Sequence, residues 1–175
     1  MESLPLSQWE NFYVIVGSAA GGLTGLTFVV IALIRDLTNV QPTGVGTFVT
    51  PTIVHFGGVL ALAAFLSMPD LTVGILSAAF ALGGVAGVAY GGFIARNMRR
   101  HGTTYVPVRE DWLWNVVFPT LAYAALVVVA ILIWHHPVAA LHAVAALSLL
   151  LLFIGIRNAW DIAVWMTTHG SRSSK

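Results

Sequence analysis

His55 is the one ionisable residue that falls deep inside an apolar stretch of this chain. An ionisable side chain in hydrocarbon is costly, so its presence points to a pathway or a switch. An imidazole changes charge near neutral pH, which suits proton relay or pH sensing. The same ring also serves as a neutral partner for a backbone carbonyl or for the hydroxyls of Thr50, Thr52 or Tyr123.

The surroundings of His55 recur. Pro51-Thr52-Ile53-Val54-His55 is echoed 68 residues later by Pro119-Thr120-Leu121-Ala122-Tyr123. Each proline removes a backbone donor, kinks its helix and frees a carbonyl one turn earlier. In a membrane that carbonyl needs a neighbour, a hydroxyl or water. Thr50, Thr52 and Thr120 stand beside the two prolines, and His55 and Tyr123 lie one turn deeper. The expectation is a midplane polar site made of His55, Tyr123, Thr52 and Thr120.

A second constellation is Arg157, Asn158 and Asp161. Arg157 and Asp161 are four apart, the spacing of a helical ion pair. They read either as an interfacial salt bridge that ends the last span or, repeated around several subunits, as a cytoplasmic gate. Asn115, about a turn into another span, is placed to bond between helices. His135, His136 and His142 gather where Glu2, Glu10 and Asp70 approach. Histidine with carboxylate suits zinc or copper, but this spacing matches no metal motif and no metal is assigned. A bis-histidine haem needs two ligands at equal depth, which His55 and His142 are not. There is no cysteine, which removes disulfide, thiol, iron–sulfur and cysteine–zinc chemistry. The single lysine is Lys175, so no Schiff base to retinal forms inside the bundle. GxSxG, HExxH and GxxxxGK[ST] patterns are absent. No catalytic residue and no cofactor is expected.

The elements that carry these residues are apolar helices. Of 175 residues, 58% are hydrophobic and only 9% charged, too few charges to cover a soluble domain. Crossing hydrocarbon takes about 20 apolar residues. Five stretches qualify, at about 12–34, 47–66, 71–95, 113–134 and 138–156, forming one transmembrane domain over 1–169. An amphipathic extension continues to about 168, and 170–175 reads as a flexible tail. The extension either prolongs the fifth helix or lies along the membrane surface.

With five spans, Arg35, Arg96, Arg99, Arg100, Arg109, Arg157, Arg172 and Lys175 all share one side. Basic loops stay cytoplasmic, which puts the N-terminus outside and the C-terminus inside. The net charge of +1 is that of loop anchors and implies no nucleic acid. The six tryptophans fall near the span ends, where amphipathic rings prefer to lie. The N-terminus lacks the basic region of a signal peptide, so the first span is expected to be retained. The short turns at 67–70 and 135–137 predict that the helices they join are antiparallel neighbours, with Asp70 as N-cap of the third. The Arg96–Asp111 connection is the longest and most charged.

Two glycine ladders, Gly17/Gly21/Gly25 and Gly83/Gly87/Gly91, each spaced by four, form grooves for close helix packing or for contact between subunits. Their offset of 66 residues, beside the proline offset of 68, points to a parallel repeat of span pairs one–two and three–four.

The stretch GSAAGGLTGLTFVVIAL at Gly17–Leu33, together with GIRNAWD at Gly155–Asp161, resembles a group of small uncharacterised bacterial membrane proteins. The resemblance covers a minority of the chain and implies a bacterial inner-membrane location but no activity. It adds weight to Arg157, Asn158 and Asp161. The functional expectation is a homo-oligomeric ion or proton channel, or a small-solute transporter, in the lipid bilayer. The alternative is a non-catalytic accessory or scaffold subunit, its glycine grooves holding another membrane protein and its Arg96–Asp111 loop docking a cytoplasmic partner.

Overall fold

Long apolar runs without water to satisfy their backbone must close their hydrogen bonds internally, and this chain does so as helix. The computed structural model describes residues 6–37, 45–100 and 109–170, and no strand occurs among them. Residues 38–44, 101–108 and 171–175, together with Glu2, lie outside the described residues. They take with them much of the first connection, the centre of the Arg96–Asp111 connection and the tail.

A short 3-10 turn, Leu6–Trp9, leads into α1 (Glu10–Leu37). Then come α2 (Val45–Leu66), α3 (Val73–Arg100), a single turn α4 (Arg109–Trp112), a π-helical turn (Leu113–Val117), α5 (Phe118–Leu132) and α6 (Pro137–Gly170). Four helical stretches are long and apolar enough to cross a membrane: Leu6–Ala32, Val73–Arg99, Arg109–Leu132 and Pro137–Asp161. Helix α2 adds the shorter apolar stretch Thr50–Leu66. These are the helices of a multi-pass membrane protein, and exposed Ile15, Leu26, Leu82 and Ile131 form the surface that lipid would wet.

Helix α6 is the centre of the bundle. Half of its apolar stretch is buried, against 17% for those of α1 and α3. It packs on both α2 and α5, while α1 packs on α2 and α3 on α5. The bundle is thus two helical hairpins, α1–α2 and α3–α5, joined along a seam that α6 covers. Helices α2 and α3 barely touch, although only a short turn joins them, so the expected neighbourhood of these two is corrected. Glycines explain the difference: α3 comes closer to α5 than to any other helix because Gly84, Gly87 and Gly91 let it.

The turn after α2 also differs from expectation. Asp70 adopts a left-handed backbone (φ 57°), which aspartate tolerates better than most residues. The cap of α3 is Thr72: its hydroxyl accepts from Ile75 N–H at 3.3 Å and its carbonyl from Leu76 N–H at 3.0 Å. At the next such turn, the His136 carbonyl accepts from Ala140 N–H and Pro137 occupies the first helical position, where a missing donor costs nothing.

Pro119 shapes the apolar stretch Arg109–Leu132. In a straight α-helix its ring would strike the Asn115 carbonyl, which would also lack a donor. The chain widens instead into the π turn, closed by the Phe118 N–H donating to the Leu113 carbonyl. Helix α6 runs unbroken for 34 residues, about 51 Å at 1.5 Å per residue. It is therefore longer than a hydrocarbon layer of about 30 Å, and the expected amphipathic extension is helical and continuous with it.

The two ends of the bundle are chemically unlike. At the turn-bearing end, all five long helices contribute to one apolar cluster, including Tyr13, Leu66, Phe80, Ile133 and Val144. The Ser77 hydroxyl donates to the Ala130 carbonyl at 2.6 Å there, and Trp134 Nε1 donates to Ser77 at 3.0 Å. The other end carries Arg99, Glu110, Arg157 and Asp161.

Candidate functional site

Tyr123 is the centre of the seam. Its ring lies flat against α3 in the space a side chain on Gly87 would occupy. Its hydroxyl reaches α2, where a Cβ added to Gly58 would stand 3.3 Å from it. There it hydrogen-bonds His55 Nδ1 at 3.2 Å, with the ring centroids 5.8 Å apart. The tautomer of His55 decides which of the two donates. His55 is 1% exposed and Tyr123 7%. The other imidazole nitrogen, Nε2, is buried without a partner among the described residues.

Three helices therefore converge on one bond, and two glycines make the convergence sterically possible. Phe56, one residue on from His55, drives its ring into the space above Gly155, which seats α6 against the same seam. Thr52 is fully buried on the face of α2 that carries His55, one turn nearer the arginine end. Thr120 stands one turn from Tyr123, its Oγ1 filling the position of a Cβ on Gly91 and lacking a polar partner. Of the four residues expected at the midplane, His55 and Tyr123 bond directly, Thr120 stays on the α3–α5 contact, and Thr52 is interior.

The glycine ladders divide. Gly17 meets Ala63, whose Cβ would lie 3.0 Å from an added one, and Gly21 meets Leu60 at 3.8 Å. Gly25 has nothing within 4 Å among the described residues, so the ladder packs on α2 at Gly17 and Gly21 only. On α3 the tight positions are Gly84, Gly87 and Gly91, while Gly83 sees only Leu126 at 3.8 Å. Sequence reasoning missed Gly84, Gly58 and Gly155. The Gly57-Gly58 and Gly83-Gly84 doublets were the available signal, but spacing alone does not say which member faces inward.

At the arginine-bearing end, Arg157 donates to Asp161 and, at 3.4 Å, to Glu110. Its guanidinium lies over the Trp114 ring at 4.5 Å. Asn158, buried, donates to the Trp114 carbonyl at 3.4 Å. This cluster ties α6 to the start of the apolar stretch Arg109–Leu132. Asn115 does not bridge helices: its amide donates to the Asp111 carbonyl four residues back, at 3.0 Å, which corrects the expected interhelical bond. The amide oxygens of Asn115 and Asn158 are both buried without hydrogen-bond partners among the described residues.

The outer histidines do not gather. His142 Nδ1–H donates to the Val138 carbonyl at 2.9 Å and its ring meets Trp9 edge-on at 4.7 Å. His135 and His136 are exposed, and no group of three or more His, Asp or Glu placed to hold a metal occurs among the described residues. The arrangement at the seam can exchange hydrogen bonds, and it presents one buried imidazole nitrogen for a proton or a hydrogen-bonding guest.

The chain matches no protein-family model, no curated protein and no solved structure.

Proposed function

We propose that this protein is a five-span transport protein of a bacterial inner membrane, moving protons or a small polar solute along the seam between its two hairpins. The single observation that carries this reading is the His55–Tyr123 bond. The two residues matched by the 68-residue offset are the two that meet, at the junction of the hairpins. A pseudo-repeat with its polar pair on the junction is the arrangement in which rocking of one hairpin against the other would make and break that bond. The N-terminus lies outside and the C-terminus in the cytoplasm, on the strength of the one-sided arginines. Helix α2 supplies the fifth crossing, since 22 residues reach about 33 Å. Assembly into a homo-oligomer is part of the proposal, supported by Gly22 and Gly25, which have nothing within 4 Å among the described residues.

Flux in proteoliposomes tests it, with wild type and His55→Ala reconstituted at matched density. Proton or solute flux that falls in the variant is the expected result. Flux untouched by the substitution would remove His55 from the pathway and direct attention to the Arg157–Asp161 end. No wild-type flux would sink transport and leave the accessory-subunit reading, in which the long α6 and the Arg96–Asp111 connection serve a partner.

A further inference from the structure

Among the described residues, six buried side-chain polar atoms have no hydrogen-bond partner, and their distribution is lopsided. Asn158 Oδ1 and Asn115 Oδ1 lie at the level of Trp114, near the arginine-bearing end. Thr120 Oγ1 comes five residues further along the same crossing, and Tyr90 is the residue before Gly91, which Thr120 touches. His55 Nε2 comes next, at the level of Tyr123. Beyond Tyr123 the interior becomes the apolar cluster of Leu126, Val129, Phe80 and their neighbours, and a single unpartnered atom, Tyr13 Oη, remains.

A buried polar group left unsatisfied is destabilising, and native interiors satisfy such groups with protein or with ordered water. Four of these residues are at least nine-tenths buried: Tyr13 and His55 are each 1% exposed, Asn158 4% and Asn115 8%, and all but Tyr13 lie between the arginine-bearing end and the seam. The levels are separated by about 7.5 Å and then about 4.5 Å along the helix, distances that one or two waters span.

We propose that a file of water enters the bundle from its arginine-bearing end past Asn115, Asn158 and Thr120, and stops at His55 against the apolar cluster. The inference rests on reading the His55–Tyr123 seam as the transport site, and it adds that the conformation is open to one side only. The ligand of the file is water and, through it, a proton or a small hydrogen-bonding solute. Asn115 and Thr120 act as lining groups, not as reacting ones.

The natural absence of cysteine makes the test direct. Single substitutions Asn115→Cys, Thr120→Cys and, as the dry control, Leu126→Cys are exposed in sealed vesicles to a small membrane-impermeant cationic methanethiosulfonate. Glu110→Cys and Asp70→Cys mark the two ends. Asn115→Cys and Thr120→Cys should react from the side that labels Glu110→Cys, at least about tenfold faster than Leu126→Cys. Reaction of Thr120→Cys no faster than Leu126→Cys, or from the Asp70→Cys side, overturns the proposal. Should a variant fail to fold, hydroxyl-radical footprinting of the unaltered protein supplies the same answer. Tyr123 should be oxidised and Phe80 spared, and equal sparing of both refutes the file. Labelling without flux would keep the file and remove the transport reading; flux without labelling would do the reverse.

Discussion

Two adjacent glycines of α3 should respond very unequally to the same methyl group. A Cβ on Gly84 would stand 2.8 Å from the Tyr123 carbonyl oxygen and 2.9 Å from Val127 N, both backbone atoms of α5. Ordinary contact begins at 3.4 Å, so the two helices must separate by about 0.6 Å. A gap of this order forfeits roughly a quarter of the dispersion well at each contact along the seam. Overpacking of this kind costs about 1–3 kcal/mol. Because backbone cannot rotate aside, about 2 kcal/mol is expected for Gly84→Ala, a roughly thirtyfold fall in the folded-to-unfolded ratio. A Cβ on Gly83 would meet only Leu126, at 3.8 Å, and Gly83→Ala should stay within about 0.5 kcal/mol of wild type. Reversible unfolding in mixed micelles, followed by tryptophan fluorescence, reads both variants against one baseline. Equal losses at the two positions, or a neutral Gly84→Ala, would refute the claim that the α3–α5 contact is backbone against backbone.

Tyr123→Phe removes the hydrogen-bond partner that His55 Nδ1 has among the described residues and should cost about 1 kcal/mol in the same assay, within the range of interhelical hydrogen bonds in membranes; a loss as large as that of Gly84→Ala would mean the hydroxyl does more than bond His55. Asp161→Asn weakens an ion pair whose side chains are 30% and 53% exposed, so its effect should stay below about 1 kcal/mol and shrink with added salt, and a larger, salt-independent loss would show the pair to be desolvated. Gly25→Leu adds a side chain where nothing lies within 4 Å, so monomer stability should hold within about 0.5 kcal/mol. If this face joins subunits, self-association measured by sedimentation in detergent should fall, and unchanged association would remove Gly25 from any subunit contact.

Helix and apolar span are properties of the chain taken one segment at a time. Composition and the length of each hydrophobic run already decide that the backbone must close its own hydrogen bonds in lipid. For the same reason the effect of Pro119 on its helix was legible in advance, though its form as a π turn was not. The His55 and Tyr123 pair was legible as an echo of two proline motifs, because both residues stand at the same distance from a helix breaker. Contacts between helices are a different kind of quantity. Gly83 and Gly84 are chemically identical neighbours, and a rotation of 100° about the helix axis makes one a packing surface and the other a lipid-facing one. The six residues between α2 and α3 set how far their ends can part but not which helices pack, and the backbone approach at Gly84, Gly87 and Gly91 draws α3 to α5 instead. The sequence alone determined that this chain is a bundle of apolar helices with its basic residues gathered outside the apolar cores of the helices and one histidine within. Only the tertiary structure decided that the histidine meets Tyr123, that glycine backbones make room for the meeting, and that unpartnered polar atoms collect on one side of it. Such close packing depends on the relative rotation of whole helices, which no local pattern of residues encodes.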